Sequence, residues 1–304
     1  MGVQERIVGH DADFFAGREA ALKADVLMFF RSTSSELRCD PLCPTHGEFV
    51  STACSNARPV RFILFQSNAK LLEKGFIMST ITFNRPDGKQ CTGFYAEPAA
   101  GTKAPGMVVI QEWWGMTEQI KGVANRLAAA GYRALIPDLY RGKMSMDAKE
   151  AEHLMQGLNF GDAAGQDVRG AVQFLKQSGT KVGVTGFCMG GALTFLAAVH
   201  VPEADVAVSW YGIPPLEYID VSRIKAKIQG HFAKHDAFFP IAQVDALEQK
   251  LNDAKVAYEF YRYDAQHAFA NETIKDPPIP IQYNSAAADL AWQRTFDFLK
   301  RNLQ

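Results

Sequence analysis

The chain has 304 residues, 47% hydrophobic and 21% charged, the composition of an ordinary folded protein, which excludes collagen-like, mucin-like and wholly disordered chains. At about 150 residues per domain, one large domain with an appendage and two modest domains are both open. The 32 Lys and Arg against 33 Asp and Glu leave a net charge of −1. That lacks the basic excess of a nucleic-acid or anionic-membrane surface, so a small neutral or anionic molecule is the expected partner.

Residues 1–77 hold three of the five cysteines but none of the nine tyrosines and none of the four tryptophans. Beyond a helix expected over 17–31 they show little periodicity, and they read as an N-terminal extension, poorly ordered or upstream of a domain that starts at Met78. Cys39, Cys43, His46 and Cys54 fall there, but their spacing matches no compact zinc module, so no metal is expected. An odd, sparse set of cysteines argues against a disulfide framework. No run approaches the roughly 18 apolar residues of a membrane span, and the N-terminus has no apolar stretch after a basic flank. A cytosolic protein is expected, and a monomer, because no heptad or exposed apolar repeat marks an interface.

From Met78 the elements alternate. Strands are predicted over 79–84 and 91–98 around the turn signal Pro86-Asp87-Gly88, then over 106–112, 133–138, 181–187, 204–211, 227–232 and 257–263. Helices are predicted over 117–131, 147–158, 161–178, 189–200, 241–254 and 283–302. This is the pattern of an α/β protein with a mostly parallel sheet. The runs Met107 to Ile110 and Ala134 to Ile136 are apolar at every position, as strands covered on both faces must be.

The segment GVTGFCMGG places Cys188 between a strand and a helix, with Gly186 two residues before it and Gly190 two after. That is a nucleophile elbow, in which small residues permit a cramped turn that projects the nucleophile, here Cys instead of Ser. The helix N-terminus that follows favours the thiolate. Such a nucleophile needs a base, and His267, in a loop between the last strand and the terminal helix, fits better than His200, His231 or His235. Two acids compete. Asp236 directly follows a strand, where the fold would place the acid, whereas Asp264 is suited to shaping the histidine loop; Asp236 is the choice. The backbone amides of Trp113 and Met189 are the expected oxyanion donors. Glu112 ends an apolar strand, a costly place for a carboxylate without a partner or a function. Trp113 and Trp114 could line a cleft, and Tyr140 and Arg141 could cap it.

Together QEWWG, PDLY, GFCMGG, KHDAFFP and QHAFAN resemble the dienelactone hydrolase (carboxymethylenebutenolidase-like) family of α/β-hydrolases over about residues 78–304. The resemblance implies an α/β-hydrolase fold, with a mostly parallel central sheet, helices on both faces and no cofactor. It implies Cys188, Asp236 and His267 as a triad, Glu112 hydrogen-bonded to the resting thiol, and cleavage of small esters or lactones through a thioester. Where the family has a Ser and a carboxylate-binding Arg after the catalytic His, this chain has Ala268 and Asn271, which with Tyr140 become the candidate substrate contacts. Around residues 147–153, where the family has a second Arg, stand Lys149 and His153. The dienelactone substrate therefore does not carry over. The rival function is a non-catalytic small-ligand binding or sensing protein of the same fold.

Overall fold

The structure is a computed structural model that describes residues 71–73, 75–99, 103–275, 277 and 279–304. The helix expected over 17–31 and the set Cys39, Cys43, His46 and Cys54 lie outside the described residues.

An antiparallel edge opens the sheet, formed by β1 (Leu71–Glu73), β2 (Phe76–Asn84) and β3 (Gln90–Pro98). Leu71 pairs with Met78, and Gly75 takes a positive φ of 86° in the tight turn between the first two strands. The expected start at Met78 thus falls inside β2. The chain continues through β4 (Gly106–Ile110), α1 (Glu118–Ala129), β5 (Arg133–Pro137) and α2 (Ala148–Gly157). The helix expected over 161–178 is broken into α3 (Phe160–Asp162), a π-helical stretch (Ala163–Val168) and α4 (Arg169–Lys176). The π-helical stretch carries the buried Asp167, whose carboxylate accepts from Arg85 at 3.1 Å and from Arg141 at 2.8 Å. The remaining elements are β6 (Val182–Phe187), α5 (Met189–His200), β7 (Val206–Trp210), β8 (Lys227–Ala233), α6 (Ile241–Asp253), β9 (Tyr258–Tyr263) and α7 (Ser285–Leu303).

The nine strands lie in the order β1-β2-β3-β5-β4-β6-β7-β8-β9, and every pairing from β5 to β9 is parallel. From β4 the chain crosses one way to β5, then back past β4 to β6 and onward. Right-handed crossovers therefore place α1 on one face and α4, α5 and α6 on the other. The last helix joins α1, since the Arg126 guanidinium lies 4.8 Å from the Trp292 ring and Gln304 reaches the Tyr132 hydroxyl. With both faces covered, β4, β5, β6 and β7 are buried at every position. Open α/β sheets bind ligands beyond the carboxyl ends of their strands where the order reverses, and that point here lies at β4 and β6. Among the described residues no helix is long and apolar enough to cross a membrane.

Candidate active site

The turn between β6 and α5 consists of Cys188 alone, at φ 55° and ψ −118°. A side-chain-bearing residue held in such a conformation costs on the order of 1–3 kcal/mol. Its backbone is pinned on both sides. Cys188 N donates to Trp210 O at 3.0 Å, and Cys188 O accepts from Gly191 N at 2.9 Å and Ala192 N at 3.2 Å. A Cβ on Gly186 would stand 2.1 Å from Gly190 O, and one on Gly190 would stand 2.5 Å from Ile110 O. The two glycines of the motif are thus steric necessities, and Gly190 also seats the elbow against the end of β4. Met189 opens α5, where first-turn amides have no acceptor within the helix.

His267 lies in the loop after β9, which is fastened by a bond from Gln282 N to His267 O at 3.0 Å. Its Nδ1 is 2.8 Å from Asp236 Oδ2, while Asp236 Oδ1 accepts from the amides of Phe238 at 2.8 Å and Phe239 at 2.9 Å. An ionised carboxylate only accepts, so Nδ1 carries the proton and Nε2 is left for the cysteine sulfur with which the ring interacts. The ring packs against Phe238, Phe239 and Tyr211, with centroids 4.9, 5.6 and 5.1 Å away. Burial opposes charge on the imidazole. The Asp236 carboxylate and the Cys188 sulfur outweigh it and hold the His267 pKa well above the ordinary value.

The rival residues have other partners. Asp264 pairs with the exposed His235 at 2.6 Å. His231 is fully buried between Tyr263 and Thr295, with hydrogen bonds of 2.8 Å to each, and its pKa is pushed down to about 3 by burial and then by Arg294. It is a neutral core histidine.

Glu112 follows β4 and is buried. Its Oε2 accepts from Asn271 Nδ2 at 2.7 Å and its Oε1 from the Tyr211 hydroxyl at 3.4 Å. Burial pushes its pKa up, against the opposing pull of His267, Asn271 and Tyr211. Asn271 is oriented in turn, its Oδ1 accepting from Thr273 N at 3.1 Å and Thr273 Oγ1 at 2.7 Å. The residue expected at the substrate therefore holds Glu112 instead. Tyr140 is buried behind the elbow, where its hydroxyl donates to Met189 Sδ at 3.4 Å, and Arg141 is bound to Asp167 rather than capping a pocket.

A cleft of about 260 Å³, open mouth included, brings Glu112, Cys188 and His267 together. Its other walls are Trp113, Trp114, Phe238, Ala268, Ile279 and Ile281. Of the expected substrate contacts only Ala268 is among these, at a φ of 59°. Sequence reasoning missed Tyr211, which follows a fully buried strand as core residues do, and Ile279 and Ile281, which sit in an unpatterned loop. Among the described residues no group of three or more His, Cys, Asp and Glu side chains is placed to hold a metal ion.

Residues 91–303 match the model of the dienelactone hydrolase family. "Protein usf" of Aquifex pyrophilus is 34% identical over 229 residues, spanning 71% of this chain and 96% of its own. A "Putative carboxymethylenebutenolidase" of Salmonella typhi is 31% identical over 242 residues, covering 74% of this chain and 87% of its own. The crystal structure of a "Putative Dienelactone Hydrolase" from Klebsiella pneumoniae superposes with a TM-score of 0.64 at 25% identity, covering 73% of this chain and 98% of that one. With its elbow, its covered parallel sheet and these relatives, the chain belongs to the dienelactone hydrolase family of α/β-hydrolases, a family of carboxylic ester hydrolases.

Proposed function

We propose that the protein cleaves small esters or lactones through a Cys-His-Asp triad and a thioester acyl-enzyme. The observation that carries this reading is that His267 and the strained Cys188 line one cleft, with His267 Nδ1 2.8 Å from the Asp236 carboxylate. The Cys188 proton passes to His267 Nε2, whose raised pKa favours the thiolate–imidazolium pair, assisted by Glu112, whose burial makes it a stronger proton acceptor than an exposed carboxylate. The thiolate attacks the carbonyl carbon. A C–S bond forms, and the carbonyl electron pair moves to oxygen, where the amides of Trp113 and Met189 stabilise the oxyanion. When the intermediate collapses, the C–O bond breaks and the alkoxide or enolate takes the proton from the imidazolium. Water, deprotonated by His267, then attacks the thioester, and Cys188 is released as the acid product departs.

The test is hydrolysis of p-nitrophenyl acetate by the full chain, with Cys188→Ala and Cys188→Ser alongside, and mass spectrometry of the quenched enzyme. Turnover lost in Cys188→Ala, with an acyl adduct on Cys188 in the wild type, is the expected outcome. Undiminished turnover in Cys188→Ala would exclude the mechanism, and ligand binding without any product would favour the binding-protein function.

A further inference from the structure

We infer that this site selects uncharged, apolar esters and discriminates against substrates that carry a carboxylate. The inference rests on the hydrolase reading and names its substrate class. The charged or chargeable groups among the described residues lining the cleft are Glu112, Cys188 and His267, all within the proposed catalytic machinery. The remaining lining residues are apolar, with the Trp113 and Trp114 rings in edge contact at 4.8 Å.

Arg141 and Arg126 are already engaged. Arg141 is bidentate to Asp167 at 2.8 Å to each oxygen, and Arg126 lies against Trp292 and Glu272. Asn271, on the histidine loop, spends its amide nitrogen on Glu112 and its oxygen on Thr273. A substrate carboxylate entering this cleft would shed its water beside the Glu112 carboxyl and find no cation among these walls except His267, whose charge is already met by Asp236 at 2.8 Å.

The segment that meets the backbone after the two tryptophans adds exposed apolar side chains. Ser145 N donates to Trp114 O at 3.0 Å, and Met144 is bridged to Gly115, so the segment beside the two tryptophans carries Met144 at 56% and Met146 at 66% exposure. The only other exposed large hydrophobic residue among those described is Leu290. Thioether side chains adapt to apolar groups of varied shape.

The experiment compares p-nitrophenyl butyrate with mono-p-nitrophenyl succinate, which differ by a methyl against a carboxylate at the acyl end, using the full-length wild type, Cys188→Ala and Ile279→Arg. The expected kcat/KM favours butyrate by about a hundredfold, as an unpaired buried charge implies. Ile279→Arg, which supplies a cation at the wall, should narrow that ratio at least about tenfold by raising the succinate rate. Cys188-dependent turnover of both esters at similar kcat/KM, or a preference for succinate, would overturn the selectivity while leaving the hydrolase reading standing. Absence of Cys188-dependent turnover of either ester would overturn the hydrolase reading, and this inference with it.

Discussion

Replacing Asp236 by Asn isolates what the acid does for the base. The carboxylate serves three donors: Oδ1 takes the amides of Phe238 and Phe239 at 2.8 and 2.9 Å, and Oδ2 faces His267 Nδ1 at 2.8 Å. An Asn side chain has one acceptor oxygen. If that oxygen turned toward the imidazole, the NH2 would face two buried amide donors, at about 1–3 kcal/mol for each buried group left unsatisfied. The oxygen therefore stays with the two amides, and the NH2 points at Nδ1. Nδ1 must then accept, the proton moves to Nε2, and the nitrogen facing Cys188 can no longer take the thiol proton. An acid-to-amide change of this kind in a Ser-His-Asp enzyme lowers kcat on the order of 10⁴-fold, or about 5.5 kcal/mol of barrier, and the same loss is expected here. Steady-state hydrolysis of p-nitrophenyl acetate reads the rate, and circular dichroism checks the fold. A folded Asp236→Asn enzyme that kept more than about a tenth of the wild-type kcat would refute the assignment of tautomer and base. Stability should respond with a definite sign as well. The raised His267 pKa means that its ion pair contributes fully below the unfolded histidine value of about 6.5, and is lost as pH rises through the folded-state pKa. The stability gap between wild type and Asp236→Asn in urea titrations should thus be widest between the ordinary Asp and His values, about 3.9 and 6.5, and narrow toward alkaline pH.

Glu112→Gln keeps an oxygen for Asn271 and a donor for the Tyr211 oxygen while removing a buried ionisable group. Because the folded Glu112 pKa is raised, the charged carboxylate weakens the fold above the ordinary carboxyl value of about 4.3. The variant should gain about 0.5–2 kcal/mol at neutral pH, the gain should vanish in acid, and the rate of Cys188 alkylation by iodoacetamide should fall. A variant no more stable at pH 7 than in acid, relative to wild type, would show that burial does not raise the Glu112 pKa. Gly190→Ala would bring a methyl to 2.5 Å from Ile110 O and 2.6 Å from Gln111 O, both backbone atoms that no side-chain rotation can clear. It should cost about 1–3 kcal/mol in urea unfolding, and on the order of a hundredfold in kcat/KM, because β4 must shift and carry Glu112 and Trp113 with it. Unchanged kcat/KM would mean that the contact between elbow and β4 is soft.

Much of this molecule is written in local sequence. The strands and helices from β2 onward follow from apolar runs and periodicity that need no distant partner, and the elbow is a short-range device, with Gly186 and Gly190 flanking Cys188. Three things were decided at longer range. The different surroundings of Asp236 and Asp264 arise on folding, which pairs Asp264 with His235 and sets Asp236 beside His267. The edge strand β1, upstream of Met78, pairs antiparallel with β2, and a strand of three residues is too short to show a period in sequence. The environment of Glu112 comes from Asn271, 159 positions away, and Tyr211, 99 positions away. A sequence motif records what a backbone turn demands of its own residues, and so it located Cys188 in the elbow. Which donors meet a buried carboxylate depends on loops converging at the ends of β4, β7 and β9, and only the assembled sheet brings those ends together.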